Sequence, residues 1–262
     1  MKNTIRVSSL LFAVIMATLS ASAAAALATG SEKIVGSRST PAYGTADLKD
    51  NAGNAGPFGP FGWDYSYTRS FDGTKLVKDV QIKFNFDADL NYSAAQQTNY
   101  INTVISGVEG VWDNKYAVKD NATGQVIPIF VEVTTAGSYN QTVQVHDGSG
   151  RSNMLNWYVG DAAPVNAHEV GHMLGLYDEY IGGAVDKYPN PTVTDDGLMG
   201  LGALNAKPVM YARYYQQYYD FMKKLNPDGD FILLAVPEPS QVMMLCLGLA
   251  VVMGAYARKR QV

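Results

Sequence analysis

The stretch that decides the fold is residues 80–112, VQIKFNFDADLNYSAAQQTNYINTVISGVEGVW. Val80, Ile82, Phe84 and Phe86 alternate with polar residues, the period-two pattern of a half-buried strand. After the polar turn Asp89 to Ser93, the period changes. Tyr100, Ile101, Val104, Ile105, Val108 and Val111 recur three and four apart, which predicts an amphipathic helix with Ser93 as its cap. A strand followed directly by a long helix commits this part of the chain to a mixed layout.

Downstream, Val126 to Val133 is rich in β-branched residues and reads as a buried strand, with Thr142–Val145 and Met154–Val159 as further strands. Pro164 to Leu174 reads as a helix with Asp161 or Ala162 near its cap and Pro164 in the first turn, where a missing N–H does no harm. Tyr188 to Leu201 is loop, and a last helix is expected from Pro208 to Leu225. The expectation is an α+β fold with a mostly sequential twisted sheet, a long backing helix, a short helix and a C-terminal helix.

Upstream, Thr29 to Gly73 is rich in Gly, Ser, Ala, Asn and Pro. It reads as an irregular extension or propeptide, with Phe58, Phe61, Trp63, Tyr65 and Tyr67 packing part of it onto the domain. The ends differ from everything between them. Lys2 and Arg6, an apolar run from Leu10 to Leu19 and the small residues Ala21 to Ala26 form a secretory signal. At the other end, Val236-Pro237-Glu238-Pro239-Ser240 leads into the apolar run Val242 to Ala257 and the basic cluster Arg258-Lys259-Arg260. The boundaries expected are therefore 1–25 signal peptide, 26–75 extension, 76–235 domain and 236–262 tail.

That tail resembles the PEP-CTERM sorting signal of Gram-negative bacteria. The resemblance implies an exosortase-type enzyme as partner, removal of the tail near Pro239, transient anchoring in the inner membrane, and secretion or cell-surface display. Five of the 20 basic residues lie in the two terminal segments, leaving 15 basic against 24 acidic residues in 26–240, a net charge of −9. That disfavours nucleic acid and anionic membrane as partners, so a membrane contact is expected only through the tail. The single cysteine, Cys246, lies inside the apolar run, so the exported part has no disulfide and must rely on its core or on a metal.

The chemistry sits in Ala167-His168-Glu169-Val170-Gly171-His172-Met173-Leu174-Gly175-Leu176-Tyr177-Asp178-Glu179-Tyr180. Two histidines four apart project from one helix face and can reach one zinc ion. Glu169 is rotated about 100° from His168, beside the open position, where a carboxylate can take a proton from an attacking water and hand it to a leaving amine. Gly175 ends the helix, and three residues later Asp178 offers a third ligand, with Glu179 as its rival.

His-Glu-x-x-His-x-x-Gly-x-x-Asp resembles the metzincin zinc peptidases in their aspartate variant. The resemblance implies a metzincin-like fold, Zn2+ on His168, His172 and Asp178, Glu169 as general base, and a methionine turn at Asp196-Gly197-Leu198-Met199-Gly200. It also raises an oxyanion-stabilising tyrosine; the usual place holds Leu201, so that role falls to Tyr211 or Tyr177 or is absent. The activity implied is hydrolysis of a peptide or protein substrate. The alternative is a non-catalytic zinc-binding surface or biofilm-matrix protein, whose structural metal would normally have four closed ligands.

Other features read as packing. His146 beside a turn reads as a surface histidine. The stripe Tyr211, Tyr214, Tyr215, Tyr218, Tyr219 and Met222 reads as core or interface rather than substrate binding. Asn226 to Asp230 reads as a helix-ending turn rather than a calcium loop.

Overall fold

The computed structural model describes residues 26–237. The signal segment 1–25, the apolar run Val242 to Ala257 with Cys246, and the basic cluster after it lie outside the described residues. Among those described, no helix is long and apolar enough to cross a membrane.

The fold is mixed α+β: eight strands in one curled sheet and few helices. Its centre is β3 (Leu76–Phe86), which carries the alternating residues just quoted. Leu76, Val80 and Ile82 are fully buried. β3 runs parallel to β5 (Val126–Thr134) along its first half and parallel to β6 (Gln141–His146) along its second. β6 in turn pairs with the short β7 (Asn156–Tyr158). Beyond β5 lie β4 (Tyr116–Asp120) and the edge strand β8 (Phe231–Ala235), both antiparallel to their neighbours.

α1 (Ala94–Trp112) backs the sheet. Ser93 and Gln96 form a reciprocal capping box, which satisfies two of the N–H groups that a helix start leaves orphaned. Val104, Val108 and Trp112 face inward, each fully buried aliphatic contributing about 1.5–3 kcal/mol. The Trp112 indole donates to the Ala167 carbonyl at 3.0 Å, fastening α1 to the next helix.

The segment 26–75 corrects the expectation of an irregular extension. It contains β1 (Gly30–Thr40) and β2 (Phe61–Phe71), antiparallel over their full 11 residues, and β2 joins β3 through Thr68 to Phe71. The turn between β2 and β3 is closed by the Asp72 carboxylate, which accepts from Thr74 and Lys75. On the Phe61 side of Thr68 the hairpin leaves β3 and packs over the helix Ala163–Met173. The order β1-β2-β3-β5-β4-β8 is sequential only in its first half.

The last helix is also shorter than expected. A 3-10 turn covers Ala212–Tyr215 and α3 spans Gln216–Leu225. Residues 208–211 are held extended because Val209 donates to the Asp196 carbonyl and accepts from Leu198 N–H. The tyrosine stripe is core at Tyr214, Tyr215 and Tyr218, whose hydroxyls also donate across the interior, Tyr215 to Trp112 O and Tyr218 to Phe130 O. Asn226 to Asp230 is a helix-ending turn, with the Lys223 ammonium bonded to the carbonyls of Pro227 and Gly229.

Candidate metal centre

α2 (Ala163–Met173) starts at Ala162 with Pro164 in the first turn and no side-chain cap. Asp161 serves elsewhere, accepting from the Ser152 hydroxyl and Tyr158 N–H. The helix is buried over most of its surface, and it ends in a left-handed glycine, Gly175 at φ +81°. Leu176 N–H returns to Gly171 O and Gly175 N–H to His172 O, the six-to-one and five-to-two bonds of a Schellman end. A side chain at 175 would also strike the Tyr65 ring, with Cβ 2.8 Å from it.

This reversal does two things for His172. It brings the Leu176 carbonyl back to accept from His172 Nδ1 at 3.0 Å, and it sends Asp178 toward the helix. His168 Nδ1 likewise donates to Leu198 O at 2.8 Å. With both Nδ1–H groups engaged, each imidazole presents the lone pair of Nε2. The second Asp178 oxygen, Oδ2, accepts from Ala184 N–H at 2.6 Å, while Oδ1 is buried and faces only the two imidazole Nε2 atoms.

The three lone-pair atoms converge. His168 Nε2 lies 3.1 Å and His172 Nε2 3.3 Å from Asp178 Oδ1, and the two nitrogens are 3.2 Å apart. A tetrahedral ion with ligands at about 2.0–2.1 Å requires separations of about 3.3–3.4 Å. The donor set therefore fits a divalent ion of zinc's size and geometry, and among the described residues it is the one metal-competent cluster found. Electrostatics agrees: three acceptors facing one point need a cation or protons between them. Burial opposes the His172 imidazolium, yet the Asp178 charge and hydrogen bond prevail and hold its pKa up at about 9. Burial would raise the Asp178 carboxyl, but the two imidazoles hold it well below the usual carboxylate range.

Glu179 is not with them. Its carboxylate takes both Arg213 Nε and a terminal nitrogen at 2.5 Å, the Tyr214 hydroxyl at 2.8 Å and Thr194 Oγ1 at 2.9 Å. Met199 is fully buried beneath α2, and a methyl added to Gly171 would lie 2.4 Å from its sulfur. The turn it occupies supplies Leu198 O to His168, while Met199 O accepts from Glu179 N–H. His146 is remote, held by Asp87 Oδ2 at 2.7 Å and Asn156 Oδ1 at 2.9 Å, which together raise its pKa.

Glu169 is 5% exposed, and burial raises its pKa against the pull of the two imidazoles. It stands where two cavities meet, one bordered by His172 and Asp178, the other by His168. Three further residues border both cavities, and sequence reading missed them: Ser152, Tyr180 and Arg151, whose guanidinium lies beside the Tyr180 hydroxyl. Tyr180 follows Asp178 by two in an extended segment, the spacing that returns a side chain to the same side. The tyrosines named for an oxyanion role lie apart. Tyr211 donates to Asp196, and Tyr177 packs against Trp63 and Arg38.

The wall behind Asp178 is tight. A methyl on Gly183 would sit 2.5 Å from Asp178 Oδ2 and 2.6 Å from its Cγ. Gly183→Ala is therefore expected to swing the carboxylate away and weaken metal affinity at least about tenfold, the usual cost of disturbing the groups that orient a ligand. Competition titration against a chromophoric chelator reads this directly. Unaltered affinity would mean that Asp178 is not a ligand.

Residues 235–261 match the PEP-CTERM protein-sorting motif. The chain thus carries the signal for export and exosortase recognition, and belongs at the cell envelope or surface. No match was found among curated proteins or solved structures.

Proposed function

We propose that this protein is an exported zinc-dependent endopeptidase. The observation that carries the reading is the convergence of three buried lone-pair donors, each anchored through its other polar atom, beside a buried glutamate at the junction of two open cavities. A structural site would enclose its ion with four protein ligands; three donors facing an accessible cleft support a catalytic one. His168, His172 and Asp178 would hold the ion, which when bound supplies Lewis acidity toward a water and a substrate carbonyl.

The rest falls to the chain's own groups. Glu169, destabilised as an anion by burial, is tuned to accept a proton from water and to deliver it to the leaving amine nitrogen. With the Arg151 guanidinium beside the Tyr180 oxygen, the phenolic hydrogen would donate to the carbonyl oxygen of a bound peptide. The metzincin likeness rests on the motif, with Met199 under the helix as supporting geometry.

The test is metal content together with cleavage of casein, with and without chelator. One zinc per chain and proteolysis abolished by chelator and restored by Zn2+ are expected. Tightly bound metal with no chelator-sensitive cleavage of any peptide would overturn the enzyme and leave a structural site.

A further inference from the structure

Of the two cavities that meet at Glu169, only one has an aromatic lining, and that bears on substrate choice. The one bordered by His172 and Asp178 is lined by Phe58, Phe61 and Trp63 together with Gly182, Gly183 and Ala184. The one beside His168 has no aromatic residue except the shared Tyr180; it mixes Asp50, Asp161 and Asn54 with the aliphatic Val165, Leu201 and Leu204. Resting on the hydrolytic reading above, we infer that the aromatic side is a subsite that selects a large apolar side chain, aromatic or long aliphatic, next to the cleaved bond.

Three observations carry this. Phe58, Phe61 and Trp63 are half-buried yet stand outside the apolar core, so part of their aromatic surface faces the cleft instead of the interior. Their positions are set by other contacts. The Trp63 indole donates to His172 O at 3.0 Å and its ring meets the His172 ring edge-on at 5.4 Å, while Phe58 packs on Tyr43 at 5.6 Å. Gly182 and Gly183 add no side chain to the lining: Gly182 is left-handed at φ +100°, and a side chain on Gly183 would collide with Asp178. The result is a cleft with an aromatic lining that also includes His172 and Asp178. A peptide with its carbonyl at the centre would place one neighbouring side chain there. A flat aromatic wall rewards apolar surface, and rings also gain from edge or offset stacking.

Phe61 is the residue to change, since Trp63 supports His172 and Phe58 supports Tyr43. Using the full chain, cleavage sites in a peptide library would be mapped by mass spectrometry, and kcat/KM measured for a matched pair of peptides carrying Phe or Ala at the preferred position. The expected result is a Phe-over-Ala preference on the order of 10- to 100-fold. Phe61→Ala should reduce that ratio about tenfold, and Phe61→Leu should restore most of it. Chelator-sensitive cleavage with no apolar preference, or a ratio unmoved by Phe61→Ala in a variant with unchanged melting temperature, would overturn the subsite and spare the hydrolytic reading. Absence of chelator-sensitive cleavage from every peptide would overturn both.

Discussion

Glu169→Gln is expected to reduce peptide hydrolysis by a factor on the order of 10²–10⁴, the usual range for loss of a positioned proton-transfer group, while zinc stays bound at one ion per chain. Glutamine keeps the shape of the side chain and removes its ability to take up a proton. The three candidate ligands are untouched: His168 and His172 remain tethered through Nδ1 to Leu198 O and Leu176 O, and Asp178 through Oδ2 to Ala184 N–H. Because Glu169 is buried and its ionised form is disfavoured there, the neutral variant should fold at least as well as the parent. Zinc stoichiometry, melting temperature and kcat therefore separate a lost base from a lost fold. A variant that binds zinc and hydrolyses casein at the parental rate would remove Glu169 from the chemistry.

Lys78→Met is expected to have the largest effect on stability. Lys78 is fully buried in β3, its ammonium donating to Gln217 Oε1 at 3.0 Å and lying 5.0 Å from the Tyr67 ring centre and 4.4 Å from that of Tyr218. None of these partners carries a negative charge. Burial, with a smaller push from Arg69, brings its pKa down to about 7. In the unfolded chain a lysine keeps its proton to about pH 10.4. Between these values the unfolded state binds the extra proton, so stability rises with pH from about 7 to about 10.4. Below about pH 7 the folded state carries the full penalty, on the order of 4 kcal/mol.

Methionine has similar length and no charge to desolvate. At pH 6 it should raise the melting temperature by on the order of 5–10 °C, after allowance for the lost ring contacts, and it should flatten the rise in stability above neutrality. Thermal denaturation of both proteins at pH 6 and pH 9 provides the check. A lower midpoint at pH 6 would show that the ring and Gln217 contacts outweigh desolvation.

The pair of histidines, the buried glutamate and the glycine that ends their helix were legible because all four depend on local spacing along one helix. The choice between Asp178 and Glu179 was not. Neighbours in an extended segment point to opposite sides, and what claims Glu179 is Arg213, 34 residues further along the chain. Tyr180 could have been found by the same alternation, whereas nothing local marks Arg151.

The strands show a similar division. β3 and β5 declare themselves by burial. In β1 the inward positions are Gly30, Glu32, Ile34, Gly36 and Arg38, which give no apolar alternation: only Ile34 packs on the core, while Glu32 pairs with Arg69, Gly36 faces Tyr65 and Arg38 bonds Gly175 O. In β2 the alternation of Phe61, Trp63, Tyr65 and Tyr67 is present, but the glycines and prolines before it suggested loop. β8 escaped notice because Phe231 to Ala235 abuts the tail.

That last strand has a consequence for maturation. Val236 N–H still donates to Lys115 O, so the final rung of the ladder stands one residue before Pro237, and the sorting motif overlaps the folded body at Ala235. A cut at or after Pro239 leaves every rung in place. Removal of the tail at that point would call for no refolding of the body, whereas a cut only a few residues earlier would unzip its outermost seam.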